Sequence, residues 1–362
     1  MTASPTVGAS DAVILVGGVG SRLRPLTLSA PKPMLPTAGV PLLAHLIGRI
    51  RQAGVTHIVL GTSYRAEVFQ SYFGDGSAFG VEIEYVVEAE PLGTGGGIRN
   101  VAHRLRGDTV LVFNGDVLSG VDLGGLLTTH ADTDADATLY LTKVEDPRAF
   151  GCVPTDIEGW VTAFLEKDPD PVTDQINAGT YVFRRALVDA IPAGRPVSVE
   201  RETFPGLLAA GARVMGYVDE TYWRDLGRPS DFVAGSADLV QGLAPSPALP
   251  GPVGSALVLP HARVDPTAVL SGGTTVGVGA LVWAGAVVEG SVLFDGATVG
   301  PGAVVRRSVL GFGAVVGAGA VLEDAVVGDR ARIGDRVELL GGARVWPDVT
   351  VPDGGIRFSS DL

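Results

Sequence analysis

Between Val264 and Val351 an aliphatic residue returns every six positions. The series runs Val264, Leu270, Val276, Val282 and Val288, then restarts one residue early at Leu293, Val299 and Val305. It restarts early again at Leu310, Val316 and Leu322, and again at Val327, Ile333, Leu339, Val345 and Val351. Laying VGVGALVWAGAVVEGSV over LFDGATVGPGAVVRRSV and LGFGAVVGAGAVLEDAV shows the repeating coil. A helix repeats near 3.6 residues and a strand at two, so neither explains this spacing. A sandwich with glycine turns would not hold the period for so long. Gly and Ala stand beside the aliphatic positions, as tight corners require. The pattern predicts a parallel β-helix solenoid.

Up to about Gly242 the rhythm is different. Apolar strands are predicted at Ala12–Val16, Ile58–Leu60, Ile83–Val87, Val110–Phe113, Thr138–Val144 and Val214–Val218. Amphipathic segments lie between them. One begins at Pro41, gathers Leu42, Leu43, Leu46, Ile47 and Ile50 on one face, and stops before Gly54. Another spans Pro229 to Gly242. This alternation predicts an α/β fold with a mostly parallel, Rossmann-like sheet, whose ligands gather at the carboxyl ends of its strands. Pro245, Pro247, Pro250 and Pro252 then form a stiff linker. The expected division is a domain at 1–244, a linker at 245–252, and a β-helix with its tail at 253–362.

The 362 residues suffice for two cores, and 46% hydrophobic content fits a globular chain. A net charge of −13 argues against a nucleic-acid partner. The lone Cys152 excludes an internal disulfide and fits a reducing compartment. The five histidines show no metal-ligand spacing, and no apolar run is long enough for a membrane span. The expected location is the cytoplasm.

Chemistry concentrates where strands give out. After Val16 comes GGVGSRLRPLTLSAPKPM, from Gly17 to Met34. Gly17, Gly18 and Gly20 free backbone amides to approach a polyanion, while Arg22, Arg24 and Lys32 supply cations. The segment lacks the Gly-Lys-Ser/Thr of a P-loop and the third glycine of the dinucleotide fingerprint. Asp116 follows the strand ending at Phe113, and Asp225 follows the strand ending at Val218. Alone, each carboxylate reads as a turn or cap residue; together, beside a triphosphate, they suit Mg²⁺.

The string GGxGxRLxPLT…PKPM resembles the sugar-1-phosphate nucleotidylyltransferases. The chain as a whole is similar to the bacterial mannose-1-phosphate guanylyltransferases with a hexapeptide-repeat tail. The resemblance implies the left-handed form of the β-helix. It implies that Asp116 and Asp225 are the metal ligands, and that Arg22, Lys32 and Lys167 serve catalysis with them. It places Val16, Gly17, Gly18, Gly20, Glu88, Gly93 and Thr94 at the nucleotide. It places Gly151, Glu166, Lys167, Asn177 and Gly179 at the sugar phosphate. Pro91 to Gly97 resembles the loop that lies flat against the base. Other branches commonly carry Gln where Glu88 stands. A carboxylate only accepts hydrogen bonds, and guanine offers two adjacent donors, N1–H and N2–H.

The implied reaction joins GTP to mannose 1-phosphate and releases pyrophosphate. Two alternatives stay open at this point: glucose 1-phosphate with UTP or dTTP, and a non-catalytic regulatory homologue. A solenoid that stacks aliphatic faces also suggests a homo-oligomer.

Overall fold

The computed structural model describes residue 9 and residues 11–63 and 65–355. The start of the expected 1–244 domain and the tail after residue 355 lie outside the described residues. The described residues form two compact units, one within 1–18 and 46–223, the other within 19–45 and 224–362.

In the first unit, strand Asp11–Leu15 lies in the middle of the sheet, parallel to both His57–Thr62 and Thr109–Asn114. Ile14 stands beside Leu60 on one side and Phe113 on the other. Glu82–Val87 continues the parallel run. Beyond Thr109–Asn114 the long strand Gln175–Arg184 runs antiparallel and also pairs with Ala137–Lys143, which takes Val214–Val218 as a parallel neighbour. Ala12, Val13 and Ile14 are wholly buried. Their unbroken apolar run suits a central strand covered on both faces. Val13 and Ile14 each stabilise the fold by about 1.5–3 kcal/mol on burial. The predicted strands all form, with ends no more than two residues from those expected.

The second unit contains the solenoid. Its strands form three parallel sheets, two of six strands and one of five. Val276, Leu293, Leu310, Val327 and Val345 stack in one. Val264, Val282, Val299, Val316, Ile333 and Val351 stack in the second. Leu270, Val288, Val305, Leu322 and Leu339 stack in the third. All three ladders face one apolar core. This is consistent with the expected left-handed parallel β-helix. At one corner the hydroxyls of Thr274, Ser291 and Ser308 accept from the buried amides of Ser291, Ser308 and Ala325.

The same unit holds the arginine-bearing segment. Leu23, Leu26 and Leu35 pack with Phe232 and Val233 of helix Pro229–Gln241, and with Val292, Phe294, Val309 and Val326 of the solenoid.

Candidate active site

At the carboxyl ends of the first unit's strands, glycine permits approaches that a side chain would forbid. The Val16 amide donates to Gly61 O at 3.0 Å, and Ser63 Oγ donates to Gly17 O at 2.7 Å. A Cβ on Gly17 would lie 2.8 Å from that Oγ. Gly18 is exposed with nothing nearby. The Gly115 amide donates to Leu15 O at 3.0 Å, and a Cβ there would lie 2.7 Å from Val16. The turn that presents the partly buried Asp116 is therefore held against the residues leading into Gly17 and Gly18.

Glu88 follows the strand Glu82–Val87. One carboxylate oxygen accepts from the Leu92 amide at 3.2 Å, and the other would lie 2.8 Å from a Cβ on Gly97. Burial raises its pKa above the usual carboxylate range, and the Leu92 bond opposes that shift. The expected base-holding loop takes a different form. Gly93 to Val101 is a helix, despite four glycines. Its first turn is sealed from outside, because the Gly95 and Gly96 amides both donate to Val197 O. Side chains at Gly95, Gly96 and Gly97 would meet Val197, Arg195 O and the Glu88 carboxylate. The glycines serve close packing within a helix rather than flexibility. Thr94 Oγ1 donates to Glu200 at 2.8 Å and accepts from the Val199 amide at 2.9 Å, so its hydroxyl is engaged by the chain.

Gly151 and Glu166 are direct partners in a two-residue antiparallel ladder. A Cβ on Gly151 would lie 2.9 Å from Glu166 Oε2, so this glycine makes room for the carboxylate. Lys167 has a left-handed φ of 54° and is mostly exposed, with its Nζ 3.5 Å from Glu166 Oε1. Asn177 stands at a break in register of the strand Gln175–Arg184. Its Nδ2 donates to Tyr181 Oη at 2.8 Å, and its Oδ1 accepts from the Gly179 amide at 3.1 Å. Gly179, at φ 80°, passes over Asn114. Trp223 Nε1 donates to Ala178 O at 3.0 Å and steadies this segment.

The second unit gathers the remaining charged residues. Gly20 has a left-handed φ of 64°, and a Cβ there would lie 3.1 Å from Lys32 Cβ. Lys32 is only 5% exposed, and its ammonium lies 3.4 Å from Asp225 Oδ1. Gly227 leaves room for an arginine: a Cβ there would lie 2.7 Å from Arg22 Nη2 and 3.1 Å from Asp225 Oδ1. Arg22 and Asp225 thus meet at Gly227, and Lys32 joins them through Asp225.

Some supporting residues carry no sequence signal. Arg344, on the solenoid, donates through Nη1 to the carbonyls of Arg22 at 2.9 Å and Arg24 at 2.7 Å. It occupies an exposed position that the hexad pattern leaves unspecified. Glu200, the partner of Thr94, comes from a segment distant in sequence.

For a hard divalent cation Asp116, in a turn, and Asp225, at the end of the short strand Trp223–Asp225, are donors of the right kind, being carboxylate oxygens with water access. A separate group, His57, Glu82 and Glu84, has its ligand atoms within 4.8 Å of one another, although histidine spacing predicts no such cluster. Three-dimensional strand pairing creates it. His57 Nδ1 lies 2.5 Å from buried Asp11, while Arg106 binds both Glu82 and Glu84 and Arg104 binds Glu84. These carboxylates have cationic partners and lie in the first half of the strand Glu82–Val87, away from its carboxyl end. Among the described residues no helix is long and apolar enough to cross a membrane.

Comparison with known proteins identifies the family. The sequence model of the family described as "Nucleotidyl transferase" matches residues 11–242, and that of the "GMPPB C-terminal domain" matches residues 252–354. A protein of Mycobacterium tuberculosis named mannose-1-phosphate guanylyltransferase is 64% identical over 97% of this chain and 98% of its own length. A rice protein named probable mannose-1-phosphate guanylyltransferase 1 is 36% identical over 78% of each chain. Among solved structures, HddC from Yersinia pseudotuberculosis complexed with GMP-PN is 28% identical, with a TM-score of 0.56 over 64% of this chain and 99% of that one. The chain belongs to the nucleotidyl transferase family and carries a GMPPB C-terminal domain.

Proposed function

We propose that this protein transfers a guanylyl group from GTP to mannose 1-phosphate, giving GDP-mannose and pyrophosphate. The observation that carries this reading is the 64% identity, across nearly the whole chain, to a relative named for that activity. A phosphate oxygen of the sugar phosphate attacks the α-phosphorus of GTP, the bond to the β-phosphate oxygen breaks, and pyrophosphate leaves with the electron pair. The attacking oxygen is already anionic, so no general base is required. The protein supplies orientation and charge.

Arg22 stabilises charge on the α-phosphate and the leaving group. Lys32, buried and therefore fixed in direction, holds the triphosphate. The exposed Lys167 takes the sugar phosphate, Glu166 accepts from sugar hydroxyls, and Gly151, Asn177 and Gly179 shape that end. Val16, Gly17, Gly18 and Gly20 offer backbone to the nucleotide, with Glu88, Gly93 and Thr94 at the base. Asp116 and Asp225 would hold Mg²⁺, which when bound neutralises phosphate oxygens. Glu88 reads guanine, supported by its acceptor-only chemistry and its partly buried setting.

The same reading takes residues 1–244 as the transferase portion and 253–362 as the solenoid and tail, behind a linker at 245–252. The buried, unpaired Cys152 supports a cytoplasmic location. Half-exposed Trp283 and Trp346 on the solenoid support a homo-oligomer formed through it. Pyrophosphate release, measured for GTP, ATP, UTP and dTTP against mannose 1-phosphate and glucose 1-phosphate, tests the function. The expected optimum is GTP with mannose 1-phosphate; a higher kcat/KM for any other pair refutes it.

A further inference from the structure

Within the second unit, a cavity of about 410 Å³ is lined by four arginines, Arg22, Arg228, Arg307 and Arg344. Asp324 is the one acidic residue in its wall, and Arg307 is already paired with it and with Glu323. Arg344 spends Nη1 on two carbonyls. Among the described residues the guanidinium groups of Arg22 and Arg228 have no hydrogen-bond or ion-pair partner. The wall also includes Pro229 and Ser230, the first two residues of the thirteen-residue helix Pro229–Gln241. Proline there carries no N–H, so Ser230 presents its amide and hydroxyl at the positive end of the helix dipole.

Two unpaired guanidiniums, a third with spare donors, and a helix N-terminus around an open volume form a place for a compact multivalent anion. We propose that this cavity binds a phosphoryl group, free or carried on a small phosphorylated metabolite, at a site separate from the one that takes the sugar phosphate. Tetrahedral phosphate offers several acceptor oxygens, matching the number of donors, whereas a lone carboxylate would leave donors unused. Arg22 faces both this cavity and the Asp225 group, so an occupant that engages Arg22 withdraws charge from the transfer reaction. That consequence, inhibition, rests on the role proposed above for Arg22; the binding itself does not.

The test is calorimetric titration of full-length protein with inorganic phosphate and, separately, with a hexose 6-phosphate, which distinguishes a free from a carried group. It is run on the wild type and on Arg228→Ala, Arg344→Ala and Lys167→Ala. Each cavity variant should weaken binding roughly tenfold or more, as loss of one charge-assisted contact does, while Lys167→Ala leaves it unchanged. Arg228→Lys and Arg344→Lys keep the charge and should restore much of the affinity. A tungstate-soaked crystal should show its anomalous peak beside Arg228. Unaltered affinity in Arg228→Ala and Arg344→Ala, or affinity lost only in Lys167→Ala, overturns the site. Binding that obeys these rules without inhibition leaves the site standing and removes the role given to Arg22.

Discussion

Along the solenoid, Val276, Leu293, Leu310 and Val327 occupy one position of successive coils and meet the same surroundings. At the strand ends of the first unit no two residues share a surrounding. Gly17 makes room for Ser63, Gly115 for Val16, Gly97 for Glu88 and Gly179 for Asn114. The first region is repetitive and tolerant of aliphatic exchange; the second is a set of individual fits. Stability is distributed in the one, and chemistry is localised in the other. The segment from Val19 to His45 departs from this division, because its charged residues belong to the chemistry and its leucines pack on the solenoid.

The sharpest way to break the comparison is to cut into a ladder. Leu322 is wholly buried between Val305 and Leu339. Leu322→Ala should cost about 2–5 kcal/mol of stability, seen as a lower urea midpoint for the second unit. At a temperature where the variant stays folded, kcat should be unchanged. A large fall in kcat with an unchanged midpoint would place chemistry in the ladder.

The opposite result is expected at the carboxylates. Asp116→Asn and Asp225→Asn should each lower kcat by roughly 10²–10³-fold, the scale for loss of one charge-stabilising group, with little change in the urea midpoint. Asp225→Asn also weakens the attraction on the buried ammonium of Lys32, so its effect should be the larger of the two. Near-wild-type turnover at saturating Mg²⁺ in either variant rejects that residue as a ligand.

Much of this division was legible beforehand, for a physical reason. The hexad period is the geometry of the coil, so Val264 through Val351 gave core positions and stacking partners together. Central strands such as Asp11–Leu15 were legible because burial on both faces demands unbroken apolar runs. The helix Gly93–Val101 was not, because its glycines answer to Val197 and Glu88, and a local reading cannot see a neighbour distant in sequence. The resemblance put Arg22, Lys32 and Asp225 in one catalytic set, but that Gly227 makes the room in which Arg22 and Asp225 meet was not legible. Arg344 was invisible because exposed coil positions carry no periodic constraint.

A subtler probe is acid, since each unit buries a histidine. His45, in the second, has its pKa lowered to about 4 by burial, partly opposed by the Thr37 carbonyl; it also contacts Ser246. His130, in the first, is likewise lowered to about 4, chiefly by burial and also by Arg184. The folded values lie below the ordinary 6.5, so the unfolded chain takes the proton first. Stability is complete above about pH 6.5 and is lost as pH falls toward 4. For His45 the linked loss between pH 7 and pH 5 is roughly 2 kcal/mol. His45→Gln should flatten the acid slope of the second unit's unfolding and leave that of the first. Equal slopes in wild type and variant would show that His45 does not titrate with folding.

The smallest effect expected, and the finest test of individual fit, is at Glu88. One of its oxygens already accepts from the Leu92 amide, so only the other remains for a base. In Glu88→Gln the amide oxygen takes over the Leu92 bond, since the alternative sets donor against donor. That turns the NH₂ toward the base, where guanine also presents donors. The clash involves one contact, so kcat/KM for GTP should fall about tenfold, near the lower end of the cost of an unpaired buried polar group. With dTTP or UTP the same NH₂ meets a carbonyl oxygen, and the gap between nucleotides should narrow. The purine-sized space is unchanged, so the variant need not favour a pyrimidine. The measurement is kcat/KM for GTP and dTTP in both proteins, with the urea midpoint as control for the Leu92 bond. If the ratio stays constant while the midpoint falls, Glu88 is a cap for the chain at Leu92, and the base is read by the backbone around Gly93.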